Sequence, residues 1–261
     1  MESNGIIDIQ FWRLCAAYVF VVILLIIVKR RGISREREII IATFRMTIQL
    51  FIAGYVLTYM FNDPHPVITI TMLGAMSIFS IMNIFKQMKF SLKRQIKWCI
   101  ACSMMTGPII TLLFFNGIVI HFTPWYEPRY VIPIAGMIIG SAMTGLTLAL
   151  KNLYEGMTSN RDKIEAMLML GAAPTKAVKK YVDQAFDSAV LPTINNMLGM
   201  GIVFLPGMMT GQILAGISPT VAIEYQIAVI LGGLGGVSLT VIIFILLSYK
   251  VFFTKNAQLD L

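Results

Sequence analysis

The stretch LPGMMTGQILAGISP, residues 205–219, gathers the side chains of this sequence best suited to touch a cargo. Met208 and Met209 offer thioethers, which suit soft metals. Thr210 and Gln212 offer a hydroxyl and a carboxamide, and Pro206 removes a backbone donor and bends a helix. Apolar sequence flanks the stretch on both sides. Lipid tolerates broken or polar backbone only where protein or a water-filled cavity covers it. The stretch therefore reads as a broken helix end forming a gate, against a plain structural kink with no cargo contact. Adaptable packing is the more ordinary use of the two methionines, with ligation the minority reading.

A second polar pair, Arg45 and Gln49, stands one helical turn apart in ATFRMTIQLFIAGY and so shares a face. An ionisable residue inside a span is a functional hypothesis by default. The pair reads as the polar lining of a cavity, against an arginine that snorkels to the headgroups or braces a neighbouring helix. Cys99 and Cys102 form C-x-x-C, which permits metal or redox use. A lone C-x-x-C lacks the second ligand pair of a zinc site, so two small core residues are the plainer reading. His65 and His121 are the only histidines, and both fall in loops. No zinc-protease, nucleophile-elbow or phosphate-loop motif is present, so the chain is expected not to be an enzyme and not to hydrolyse ATP by that device. Carboxylates, the usual ligands of hard divalent cations, are nearly missing from the apolar segments. The sequence assigns no metal ligands.

These groups sit in a chain of 261 residues that is 57% hydrophobic and 13% charged, with a mean hydropathy of +0.78. Uncharged runs at 19–28, 67–85 and 227–249 mark spanning helices. The fold class is all-α: a polytopic membrane protein of about seven transmembrane helices, near 10–28, 39–60, 66–85, 98–120, 131–150, 190–211 and 223–250. One permease domain over 1–261 is expected, with no separate soluble domain. The acidic, polar amino terminus does not look like a cleavable signal, and three cysteines within or beside spans imply no disulfide framework.

Basic loops alternate with loops poor in Lys and Arg. The basic ones follow spans one, three and five, and Lys250 and Lys255 close the tail, while Lys89 lies in the second. The positive-inside rule then puts the amino terminus outside and the carboxy terminus in the cytoplasm. The net charge of +8 reads as topology with anionic-lipid contact, and nucleic-acid binding is not expected. Small-residue runs, GMIIGSAMTG at 136–145 and LGGLGG at 231–236, predict close helix contacts, and the second also allows a kink.

Residues 151–189 are too long and too patterned for a turn. Apolar spacing on each side of a Gly-Ala-Ala-Pro break at 171–174 predicts two short helices joined near Pro174. This cytoplasmic helical loop is the natural place for a partner to grip.

Four blocks carry a resemblance to a known family: TFRMTIQLFIAGYVL (43–57), GMIIGSAMTGLTLAL (136–150), IEAMLMLGAAPTKAV (164–178) and the long LPTINNMLGMGIVFLPGMMTGQILAGISPTVAIEYQI (191–227). They resemble the FetB family, membrane subunits of bacterial ATP-binding cassette transporters described as iron exporters. The resemblance covers nearly the whole chain after span one. It implies a separate cytoplasmic FetA-like ATPase that binds the ATP, two copies of each subunit, a bacterial cell membrane location and iron as cargo. Glu165, Ala166 and Gly171 are similar to the E-A-A…G loop of many such permeases, which implies ATPase coupling at 151–189. Met167 replaces the third residue of that pattern. Plant aluminium-tolerance subunits of the same broad group imply an alternative cargo, a small organic or anionic molecule of nucleotide-sugar type. An ATP-independent channel or carrier, and a membrane sensor or scaffold, are the readings outside this class.

Overall fold

The computed structural model describes residues 10–88, 90, 92–121, 123–253 and 258–259. Residues 1–9, Lys89, Lys255 and the side chain of Lys250, used above to assign the loops, lie outside the described residues. Among the described residues the regular structure is helical, with two isolated bridges and no strand. The chain divides into two units, Met1–Pro64 with Leu214–Gly216, and His65–Ile213 with Ile217–Leu261.

The first unit is a helical hairpin. Helices α1 (Phe11–Ala17) and α2 (Val19–Arg30) follow almost without interruption, and α3 (Glu36–Asn62) packs back on α2. Gly32, at a φ of +67°, supplies the left-handed turn between them. Charges suit the helix dipoles, with Lys29 and Arg30 in the last turn of α2 and Glu36 and Glu38 in the first turn of α3.

The second unit contains α4 (Pro66–Gln87), α5 (Arg94–Phe114) with a π-helical end at Phe115–Ile120, α6 (Pro128–Ser159), α7 (Arg161–Met169), α8 (Pro174–Gly199), α9 (Gly207–Leu214) and α10 (Pro219–Ser248). Pro66, Pro128, Pro174 and Pro219 each open a helix. That position has no intrahelical partner to lose, and proline's fixed φ suits it. Helix α6 is the centre of the packing and touches α4, α5, α8 and α10. Its buried Ala135, Ile139, Ala142, Leu146 and Ala149 recur at helical spacing and form a core with Met104, Val237 and Phe244. Hydroxyls within this apolar unit bond to carbonyls of their own helices, as Ser80 does to Met76 at 2.8 Å and Thr240 to Gly236 at 2.6 Å.

Among the described residues, six helical segments are long and apolar enough to cross a membrane: Phe11–Arg30, Glu36–Asn62, Pro66–Gln87, Arg94–Ile120, Pro128–Ser159 and Pro219–Ser248. The additional span expected at 190–211 is not a single helix. It starts inside α8, opens at 200–206 and resumes as α9. Gly201, at a φ of +84°, turns the chain there, and its amide donates to the Phe204 carbonyl at 3.0 Å.

The helical reading of 151–189 also shifts. Helix α6 continues to Ser159, α7 is a nine-residue piece, and α8 runs on for 26 residues. The break at 171–174 stops the first helix, but nothing stops the second before Gly199. Pro192 lies inside α8 and only removes the amide that would bond the Ser188 carbonyl. LGGLGG does not interrupt α10, which is continuous. Its Gly236 instead admits Ile138, whose Cγ2 would lie 2.8 Å from an added Cβ.

Candidate functional site

In the second unit a chamber of about 430 Å³ lies among α6, α8, α10 and the segment that follows α8. The small residues of α6 help to make it. Gly136, Gly140, Ser141, Thr144 and Gly145 recur on one helical face, and nothing lies within 4 Å of where a Cβ on Gly140 would be. The 136–145 stripe thus has two uses. Gly145 gives close packing, with the Ala189 carbonyl oxygen 3.1 Å from a would-be Cβ, and Gly140 opens space. Helix α8 contributes Ala189, Pro192, Thr193 and Asn196, and Met200, Phe204 and Pro206 come from its end and the loop beyond.

Gln226 reaches the chamber from α10. It is 4% exposed, and neither its Oε1 nor its Nε2 has a hydrogen-bond partner. The chamber residues are otherwise hydroxyls, an amide, thioethers, glycines and apolar groups including the Phe204 ring, and none is ionisable at neutral pH. Nearer the α7 end of the same two helices lies a second pocket of about 550 Å³. It is lined by Asn152, Glu155, Gly156 and Ser159 of α6 and Gln184, Asp187 and Ser188 of α8. The α6–α8 pair thus carries two carboxylates at one level and an uncharged polar chamber at another.

Pro206 lines the chamber, and its carbonyl accepts from the Thr210 amide at 2.9 Å and the Thr210 hydroxyl at 3.0 Å. Met208 packs against the cluster of Phe115, Ile134, Ile138 and Val229, and Met209 is buried. Gln212 holds a buried Oε1 without a partner. Met208, Met209, Thr210 and Gln212 are not among the chamber-lining residues.

Arg45 and Gln49 lie on α3 in the first unit, with Arg45 half-buried and Gln49 exposed. Cys99 is buried and Cys102 exposed, both as free thiols. Among the described residues no three His, Cys, Asp or Glu side chains cluster as a metal site. His65 accepts from the Val67 amide at 3.4 Å and caps α4.

Glu165 and Ala166 lie on α7, where Arg161 pairs with Glu165 at 2.8 Å. Gly171, at a φ of +83°, ends that helix. Its amide donates to the Leu168 carbonyl and the Ala172 amide to the Met167 carbonyl, both at 3.0 Å. This is a Schellman closure, which needs the left-handed residue that glycine supplies. At the resulting tip Met169 and Leu170 are 86% and 88% exposed.

Gln226, Ser141 and Asn196 escaped sequence reasoning because uncharged polar residues in these segments match no motif. The signal that could have found Gln226 is that it is the one carboxamide on α10, seven residues after Pro219.

The family described as "Uncharacterised protein family (UPF0014)" matches residues 11–253. The chain is 35% identical over 246 residues to "Probable iron export permease protein FetB" of Escherichia coli (strain K12), covering 94% of this chain and 93% of that one. It is 33% identical over 252 residues to "UPF0014 membrane protein YjkA" of Bacillus subtilis (strain 168), covering 96% and 98%. It is 31% identical over 245 residues to "Protein ALUMINUM SENSITIVE 3" of Arabidopsis thaliana, covering 94% and 88%. No solved structure matches the chain. With agreement over nearly its full length and six helices able to span a membrane, the chain belongs to the UPF0014 family of membrane proteins.

Proposed function

We propose that this chain is the permease subunit of an ATP-binding cassette transporter that exports iron from a bacterial cell. A separate cytoplasmic ATPase, FetA-like, binds and hydrolyses the ATP, and two permeases and two ATPases make the working unit. The observation that carries this reading is the way α7 joins α6 to α8. Those two helices supply much of the chamber wall, so a force on α7 acts on both. Their interior is closely packed, and such interiors transmit strain. The Met169–Leu170 tip is a compact apolar projection suited to seating in a partner's cleft. Lys86 near the end of α4 and Arg94 at the start of α5 support a cytoplasmic side for that tip by the positive-inside rule, and the same rule favours an outer amino terminus and an inner carboxy terminus.

Iron is the first cargo because FetB carries that description. Glu155 and Asp187 support it, since carboxylates at a pocket mouth attract cations. A small organic cargo is the second reading, and the uncharged chamber favours it. In both, Pro206, Met208, Met209, Thr210 and Gln212 form the gate, and Arg45 with Gln49 lines a polar path.

The test is flux from proteoliposomes containing both subunits, across metals and small organic anions. ATP-dependent iron efflux is expected. Flux without ATP would make the chain a channel or carrier, and ATPase binding without any flux would make it a sensor or scaffold.

A further inference from the structure

We propose that the chamber among α6, α8 and α10 is a binding site for an uncharged hydrogen-bonding organic group, such as an amide or a hydroxyl, held by the carboxamide of Gln226. The proposal deepens the permease reading and rests on it, because it names what the transporter must accommodate at this level.

Three observations converge. Gln226 is almost wholly buried, yet both ends of its carboxamide lack a partner. Burying such a group unpaired is costly, so natural structures seldom leave one without a use. The unpaired amide lies where a cavity exists to receive a partner, and about 430 Å³ falls within the range of small-molecule pockets. Finally, a carboxamide offers a donor and an acceptor side by side, so its complement must accept and donate as well.

The surroundings sharpen the class. Ser141, Thr144, Thr193 and Asn196 add neutral polar groups, and no chamber residue carries a charge. A bare ion moved here would lose its water without meeting a counter-charge. Hard cations prefer carboxylate oxygens, and Glu155 and Asp187 stand in the other pocket. Thr144 donates its proton to the Gly140 carbonyl at 3.0 Å, which leaves its oxygen free to accept.

The experiment uses the full chain in lipid nanodiscs and saturation-transfer NMR with acetamide and glycerol at millimolar concentration. Both probes are expected to receive saturation from the wild type. Gln226→Leu should weaken the transfer by about tenfold, the loss of a hydrogen bond or two. Asn196→Ala, which leaves the buried amide in place, should weaken it less and guards against a Gln226→Leu chain that does not fold. Fe²⁺ added anaerobically should bind equally to the wild type and to Gln226→Leu. No transfer from either probe, transfer that survives Gln226→Leu in a folded chain, or Fe²⁺ binding lost in that variant would each overturn the proposal. These measurements need no ATPase. Failed probe binding with intact ATP-driven flux would therefore remove this inference alone, and probe binding without such flux would remove the permease reading.

Discussion

Gly107 on α5 sits so close to Thr240 on α10 that a methyl group at Gly107 would come within 2.8 Å of the Thr240 Cα. The obstacle is backbone, which cannot rotate away as a side-chain tip can. Gly107→Ala should therefore destabilise the second unit by about 1–3 kcal/mol, the usual cost of overpacking. Gly235, with nothing within 4 Å of a would-be Cβ, is the matched control. Thermal unfolding in nanodiscs should separate the two, with Gly235→Ala close to wild type. Equal stability of both variants would show that α5 and α10 are not pressed together in this way.

The Tyr18–Thr47 contact sets the packing of the first unit. Thr47 gives its only hydroxyl proton to the Thr43 carbonyl at 2.9 Å, so Tyr18 must be the donor in the 2.6 Å bond between their oxygens. Hydrogen bonds between membrane helices average about 0.6 kcal/mol in double-mutant cycles. A cycle of Tyr18→Phe and Thr47→Val should give a coupling of about that size. Additive single effects would mean that the bond contributes nothing.

Much of this architecture was legible in the sequence, and the illegible parts have physical causes. Apolar run length and turn residues locate the long apolar helices, because both act locally. The stretch at 190–211 misled because apolar composition does not report whether backbone is continuous. Helix α8 runs through Asn195 and Asn196 to Gly199, and the left-handed turn at Gly201 marks the break that follows. The chamber was hidden for another reason. Gly140 and Gly145 belong to one small-residue stripe, yet one opens space and the other closes it, and the difference depends on where α8 and α10 lie. Met208 and Met209 drew attention by type, whereas Gln226, a lone amide on α10, acquires meaning only from its burial.

The tip of α7 offers a prediction about coupling. Gly171 adopts a φ of +83° with open space around it, so a side chain there meets strain and no collision. Gly171→Ala should cost about 1 kcal/mol locally and loosen the Schellman closure. Gly171→Asn should cost less, since asparagine tolerates this conformation. Replacing the exposed Met169 and Leu170 with serine should leave the second unit folded, because neither side chain is buried. Under the permease reading these serine variants lose ATPase stimulation, Gly171→Ala loses part of it, and Gly171→Asn retains most. ATPase assays of the reconstituted complex measure this. Full stimulation with both serines in place would move the docking surface elsewhere.

Gly140→Val tests the chamber from the opposite direction. Its Cβ would meet no atom within 4 Å, so the added side chain occupies the chamber instead of displacing a neighbour. Folding should be little affected, because valine is a better helix former than glycine and helix propensity carries no cost here. Transport should fall steeply, because the valine methyls fill space a cargo would need. Gly145→Ala makes the contrast, since its methyl would press on the Ala189 carbonyl oxygen at 3.1 Å and on Val237, and stability should fall first. Unfolding midpoints and ATP-driven flux measured on both variants give opposite orderings if the chamber lies on the path: Gly140→Val stable and inactive, Gly145→Ala less stable. A stable Gly140→Val protein that still transports would take the chamber off the path.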